Sequence, residues 1–395
     1  MTYRESIPIV ILAFMLAASQ ASAQDSRADE IARQQAEKSQ KLMPNTATGA
    51  EKTLEWLEGH FTDPDTVYLT FGGLYPSGGF APGLALRRAF GHARFNVGGA
   101  YSLRNYKLLH VSLNFPELAG NKLEVETGVR WTDATQVPFY GLGNETSKDD
   151  RVNYGLRALE AGATVAFKPV PWYRIGGGIA LRRIEDREGV GSHPSIETFP
   201  TIGPLPGLFS EAKYTQATAF TGIDWRESSG YTRRGGLYSV ALQDFRDADD
   251  GFSFRRVDAE IQQFLPVLKE HWVLAFRGLV QTTDVDDSQV VPYYLLPSLG
   301  GARRHRGYGD FRFQDRHMML VSAEYRWLPS RVIDMALFVD AGKVTRERGD
   351  LDFDGLKTAW GIGMRLHGPT FTPLRLDVAR GKEGVRVHLT GGVAF

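Results

Sequence analysis

The chain has 395 residues, 46 Lys and Arg against 46 Asp and Glu, 42% hydrophobic residues, 43 glycines and no cysteine. Balanced charge gives no general hold on a phosphate backbone, which sets nucleic-acid binding aside. The missing thiol excludes a disulfide framework and a lipidated cysteine. Length allows two or three ordinary domains, but a single all-β barrel accounts for it equally well.

At the N-terminus Arg4, an apolar run from Ile7 to Ala18 and Ala21-Ser22-Ala23 before Gln24 have the layout of a secretory signal over 1–23, cut near Ala23. The run is shorter than the roughly 20 apolar residues of a spanning helix. Residues 24–65 form a polar leader. Its first part is rich in charge, Gln and Ala, which predicts a frayed helix or disorder. Leu54, Leu57 and Phe61, with Gly59 as a cap, predict a short helix from about 50 to 58 that docks on, or plugs, the domain beyond it.

From Thr66 onward the apolar residues alternate. Leu123, Val125, Thr127, Val129 and Trp131 fall on one face, opposite Lys122, Glu124, Glu126 and Arg130. Period two is the signature of a strand with one polar face. Such runs occupy 66–74, 81–91, 93–104, 106–116, 121–133, 152–168, 172–186 and 212–226. They continue over 233–246, 252–266, 271–284, 314–328, 331–344, 355–367, 372–381 and 385–395. The total of about sixteen is even, as bacterial outer-membrane barrels require. Many runs exceed the nine to eleven residues, about a bilayer's depth, that a tilted strand needs. The fold class expected is all-β, an antiparallel transmembrane barrel over 66–395.

Loop lengths sort by parity. Gly91-His92, 169–171 and Pro329-Ser330 are among the short turns, whereas 133–151, 187–211, 285–313 and 345–354 are all on the other rim. Short turns on the periplasmic rim and long loops outside distinguish a membrane barrel from a soluble sandwich. In the last strand Val385, Val387, Leu389, Gly391, Val393 and Phe395 share one face, with Arg386, His388 and Thr390 on the other. A terminal Phe on an alternating strand resembles the sorting signal of outer-membrane proteins.

The longest of these loops is basic and glycine-punctuated, running Gly300-Gly301-Ala302-Arg303-Arg304-His305-Arg306-Gly307-Tyr308-Gly309. Ordered loops of this length are usually functional. On the two strands after it, period two turns Ser322, Glu324 and Arg326 inward, together with Phe338, Asp340 and Gly342. Two inward carboxylates on neighbouring strands need a cation.

Arg306-Gly307-Tyr308, Glu324-Tyr325-Arg326 and Phe338-x-Asp340-x-Gly342, in that order and with five strands after the loop, resemble the barrel of the BamA/TamA-type superfamily, the bacterial surface antigen family. The family's motif is Val/Ile-Arg-Gly-Phe/Tyr; His305 departs from its first position. The resemblance implies a sixth extracellular loop folded back into the barrel, with Arg306 paired to Asp340 and Glu324 through charge-assisted bonds and Gly307 easing a tight turn. It also implies a weak seam between first and last strands, to which Gly72-Gly73 and Gly391-Gly392 would contribute. Relatives of the assembly type carry periplasmic POTRA modules, and 24–65 is too short to hold one.

No Gly-x-Ser-x-Gly elbow is present. Gly342-Lys343 lacks the flanks of a phosphate loop, Asp247 to Gly251 lacks calcium-loop spacing, and His305 stands alone as a metal ligand. No enzyme, metal or cofactor is expected. The function implied by resemblance is insertion or translocation of protein or lipid at the Gram-negative outer membrane. A passive channel for small or hydrophobic solutes, or an anchoring barrel, is the alternative. Expected partners are outer-membrane lipid and lipopolysaccharide, the assembly machinery during the chain's own insertion, and an unidentified periplasmic or surface partner.

Overall fold

The computed structural model describes residues 66–395 apart from 73, 199–204, 268–270 and 369, and omits the side chains of 71 and 72. The signal, the leader and the helix expected over 50–58 lie outside the described residues.

Sixteen strands form one sheet in chain order, each antiparallel to the next. They are β1 Thr66–Gly72, β2 Ala81–Phe90, β3 Ala93–Tyr101, β4 Lys107–Leu118, β5 Leu123–Phe139, β6 Val152–Val170, β7 Tyr173–Glu188 and β8 Glu211–Asp224. Next come β9 Gly235–Asp247, β10 Phe254–Val267, β11 Trp272–Asp284, β12 His317–Trp327, β13 Ile333–Thr345, β14 Lys357–Leu366, β15 Leu374–Gly381 and β16 Gly384–Thr390. Loop 6, the sixth on the long-loop rim, joins β11 to β12 and contains a two-residue ladder, Ser298–Leu299 against Phe313–Gln314.

Alternation sets which side chains enter the barrel. On β13, Ala336, Phe338 and Asp340 are buried, while Leu337 and Val339 are each 51% exposed. Exposed Leu109, Val111, Val129, Ile179, Leu181, Val240, Leu242 and Ile261 continue this apolar belt. Apolar surface on that scale is stable when lipid covers it.

The alternation breaks where β5 and β6 outrun their expected limits. A register shift between Ala134 and Val137 carries β5 on to Phe139, and a bulge of this kind adds a residue that hides period two from the sequence. The extension supports an apolar cap inside the long-loop rim: Phe139, Tyr154, Leu156, Ile184, Tyr214, Phe245 and Phe254 pack with Val291, Tyr293 and Tyr294 of loop 6. Asp186 fastens this cap, accepting the backbone N–H groups of Phe209 at 2.9 Å and Ser210 at 3.0 Å and the Tyr293 hydroxyl at 3.0 Å.

The C-terminus departs from the expected pattern. Val385, Val387 and Leu389 are exposed on the lipid face, but β16 ends at Thr390 and Gly392 takes φ +78. A left-handed residue breaks the alternation, and glycine adopts it without strain. Gly391 and Val393 therefore fall beyond the strand. Phe395 leaves the lipid face and enters the barrel, where it packs with Phe264, Val273 and Ala275 of β10 and β11. Its ring centroid is 5.2 Å from the Arg326 guanidinium, close enough for a cation–π contact.

Candidate functional site

Arg306 is 2% exposed, deep in the barrel beside β12 and β13. It donates from Nε and Nη2 to Asp340 at 2.8 and 2.7 Å, and from its backbone N–H to the same carboxylate at 3.0 Å. Nη1 donates to Glu324 at 2.5 Å. The guanidinium carbon also lies 3.4 Å from the Phe338 ring centroid. One cation thus closes a fork on Asp340, reaches the neighbouring strand and stacks on an aromatic face, which the planar guanidinium can do and an ammonium cannot.

Glu324 is shared more widely than its pairing with Arg306 suggests. Arg326 Nε donates to it at 2.6 Å and Arg365 Nη2 at 2.8 Å, so three guanidiniums from loop 6, β12 and β14 meet one carboxylate. Arg375 and Asp377 of β15 form a second ion pair, both side chains fully buried, and Arg375 donates to the Ala302 carbonyl at 2.7 Å. These groups are guanidiniums facing carboxylates, an arrangement suited to holding a loop rather than to moving protons.

The rest of the motif packs around that centre. Tyr308 is buried with Leu279, Leu299, Phe313, Met318, Leu320 and Val344. A Cβ at Gly342 would stand 2.6 Å from the Met319 carbonyl of β12 and 3.1 Å from the Leu299 methyls of loop 6, and one at Gly361 would stand 2.3 Å from the Val378 carbonyl and 2.4 Å from the Phe338 ring. His305 packs against Tyr308, with ring centroids 4.8 Å apart, and Nε2 lies 2.7 Å from the Lys357 carbonyl. A carbonyl oxygen can only accept, so Nε2 carries a proton and donates it in that bond.

Gly307 is needed for a different reason from the one its sequence suggests. The left-handed backbone of the loop falls at Gly300, Gly301 and Phe311, with φ +124, +91 and +56. At Gly307 the constraint is contact: a Cβ would stand 2.2 Å from the Ala359 methyl. Gly307→Ala is therefore expected to cost about 1–3 kcal/mol of overpacking, and Ala359→Gly in the same chain to recover most of it. Urea titration of the heat-modifiable gel shift measures both; no recovery in the double variant would place the strain elsewhere.

Loop 6 also touches both ends of the sheet. Its Asp310 accepts the Ser77 N–H at 2.8 Å and Phe311 stacks on Tyr75, both beyond β1, with 5.8 Å between centroids. On the far side, His388 of β16 lies 2.8 Å from the Arg306 carbonyl, and Arg312 donates to Glu383, between β15 and β16, at 2.8 Å. Arg365, Arg375, Asp377 and His388 carry no motif; their one signal in the sequence is an inward place in the alternation.

A sixteen-stranded antiparallel sheet with an apolar outer belt and its longest loop turned into its own interior defines an outer-membrane β-barrel with an internal loop. Residues 211–395, which carry β8 to β16 and loop 6, match the Omp85 superfamily domain. The chain is similar in fold to BamA from Haemophilus ducreyi lacking POTRA domains 1-3, with a TM-score of 0.62 and 15% identity over 83% of this chain and 70% of that one. It is also similar to CdiB from Escherichia coli, with a TM-score of 0.56 and 14% identity over 84% of this chain and 63% of that one. For CdiB from Acinetobacter baumannii the TM-score is 0.52 and the identity 11%, over 83% and 59%. The chain thus spans less than two-thirds of either CdiB structure. Among curated proteins none matches the chain.

Proposed function

We propose that this barrel inserts or translocates protein or lipid at the outer membrane, and that Arg306, Gly307, Tyr308, Glu324, Phe338, Asp340 and Gly342 lock loop 6 to the barrel wall for that purpose. The observation that carries the reading is the buried fork of Arg306 on Asp340, extended to Glu324. A loop held inside the barrel narrows any open path for free solutes. A barrel that handles its cargo at the wall needs the loop held in one place while the strands beside it change partners. The strands at the two ends of the sheet support this, being the shortest at 7 residues each, and short strands pair weakly. Gly72 at the end of β1 and Gly391 and Gly392 just after β16 weaken pairing further. The likeness in fold to BamA supports the same reading.

The test compares a deletion strain with one carrying the gene, and the purified barrel in a planar bilayer. The reading predicts depleted outer-membrane proteins or altered lipopolysaccharide on deletion, and no steady solute conductance. A stable, solute-dependent conductance in a barrel whose loss leaves the envelope unchanged would overturn it in favour of a channel.

A further inference from the structure

On the lipid side of β4 to β8 the strand registers stack outward residues into rows. The row nearest the long-loop rim that runs from β4 through β8 joins Lys107, Asp133, Arg157, Glu185 and Glu211, with Arg187 of β7 one row above it. The next row down joins Leu109, Trp131, Leu159, Arg183 and Lys213. Beneath them every outward side chain is uncharged, and Ala161 and Ala163 of β6 stand between larger neighbours, Val129 on one side and Ile179 and Leu181 on the other. The short side chains leave an apolar depression of about 520 Å³.

The charges above it are partly matched. Arg157 meets Glu185 at 3.4 Å, Arg183 and Lys213 meet Glu211 at 2.5 and 3.2 Å, and Arg187 and Lys107 share Asp133. Five cations therefore face three carboxylates. Outward charge is tolerated on a barrel only near the headgroups, and Trp131 directly below is the aromatic that marks such an interface. The long-loop rim makes this the outer leaflet.

We propose that this surface binds a phosphorylated glycolipid of the outer leaflet, one acyl chain lying in the depression over Ala161 and Ala163 and its phosphates meeting Arg157, Arg183 and Lys213. Charge complementarity selects an anionic head, because the surplus on these rows is positive. Their spread selects a broad one: Arg157, Arg183 and Lys213 lie on β6, β7 and β8, two strand spacings or about 10 Å at about 4.8 Å each, more than one phosphate covers. A disaccharide head with two phosphates fits that width.

The full chain is folded in detergent, mixed with lipid A or with phosphatidylglycerol, and examined by native mass spectrometry for retained lipid. Lipid A is expected to be retained at least tenfold better than phosphatidylglycerol. Arg183→Gln with Lys213→Gln removes the surplus and is expected to lower retention tenfold or more; Ala163→Leu fills the depression and acts alike. Heat-modifiable mobility identifies any variant that fails to fold, and the charge variants, lying outside the interior, carry the test by themselves. Equal retention by wild type and charge variants overturns the site, as does equal retention of the two lipids. A dimer that Ala163→Leu abolishes overturns it in favour of a second copy of this chain.

Discussion

Glu324→Gln is expected to destabilise the folded barrel more than any other single isosteric change in the interior. The side chain keeps its shape, so the loss is of charge alone. Three guanidiniums, from Arg306, Arg326 and Arg365, converge on this carboxylate at 2.5, 2.6 and 2.8 Å. All four groups are at most 2% exposed. Breaking one buried pair typically costs about 3–5 kcal/mol, because the surviving charge has neither water nor partner. Here three cations lose a shared partner, so the cost is placed at or above that range, roughly a hundred- to several-thousand-fold in the folding equilibrium. Asp340→Asn leaves only Arg306 short of an anion, and that cation keeps Glu324; the smaller loss is expected there. Removing a surplus cation with the anion reverses part of the effect, so Arg365→Gln should rescue Glu324→Gln and not wild type. Urea midpoints from heat-modifiable mobility report all four chains, and absence of rescue would show that packing, not charge, decides.

Arg306→Lys is expected to lose nearly as much as Arg306→Ala. Arg306 makes four donor contacts in three directions, two side-chain bonds and one backbone bond to Asp340 and one bond to Glu324, while its plane stacks on Phe338. An ammonium on a flexible stem keeps the charge and gives up the fork and the stacking. A conservative charge is therefore no substitute at this site. If Arg306→Lys folds and resists urea as wild type does, net charge alone holds loop 6, and the geometry is incidental.

How much of this was legible in the chain depends on which rule carried the signal. Period two alone turned Glu324, Phe338 and Asp340 inward, because a strand whose outer face must meet lipid cannot exchange faces. It counted sixteen strands for the same reason. Arg306 sits in a loop, where no period applies, and only its resemblance to a motif marked it. Arg365, Arg375 and His388 occupy inward positions that any polar residue could have taken, so nothing distinguished them until loop 6 was in place beside them. The bulge after Ala134 hid the end of β5, and the left-handed Gly392 took Phe395 from the lipid face to the interior; both are single-residue departures from the alternation that otherwise reads so clearly. Gly307 was read as a turn residue and proves to be one of contact, a distinction that depends on Ala359, 52 positions away.

The central claim, that Arg306 and Asp340 act as one unit fastening loop 6 inside the barrel, is tested most directly by the coupling between Arg306→Ala and Asp340→Ala. Arg306→Ala strands the Asp340 carboxylate and Asp340→Ala leaves Arg306 with Glu324 alone, whereas the double change strands neither, so the double variant is expected to lose clearly less than the sum of the two, by about 0.5–3 kcal/mol, the range of residues in contact. Losses that add, within the few tenths of a kcal/mol typical of independent sites, would contradict the lock.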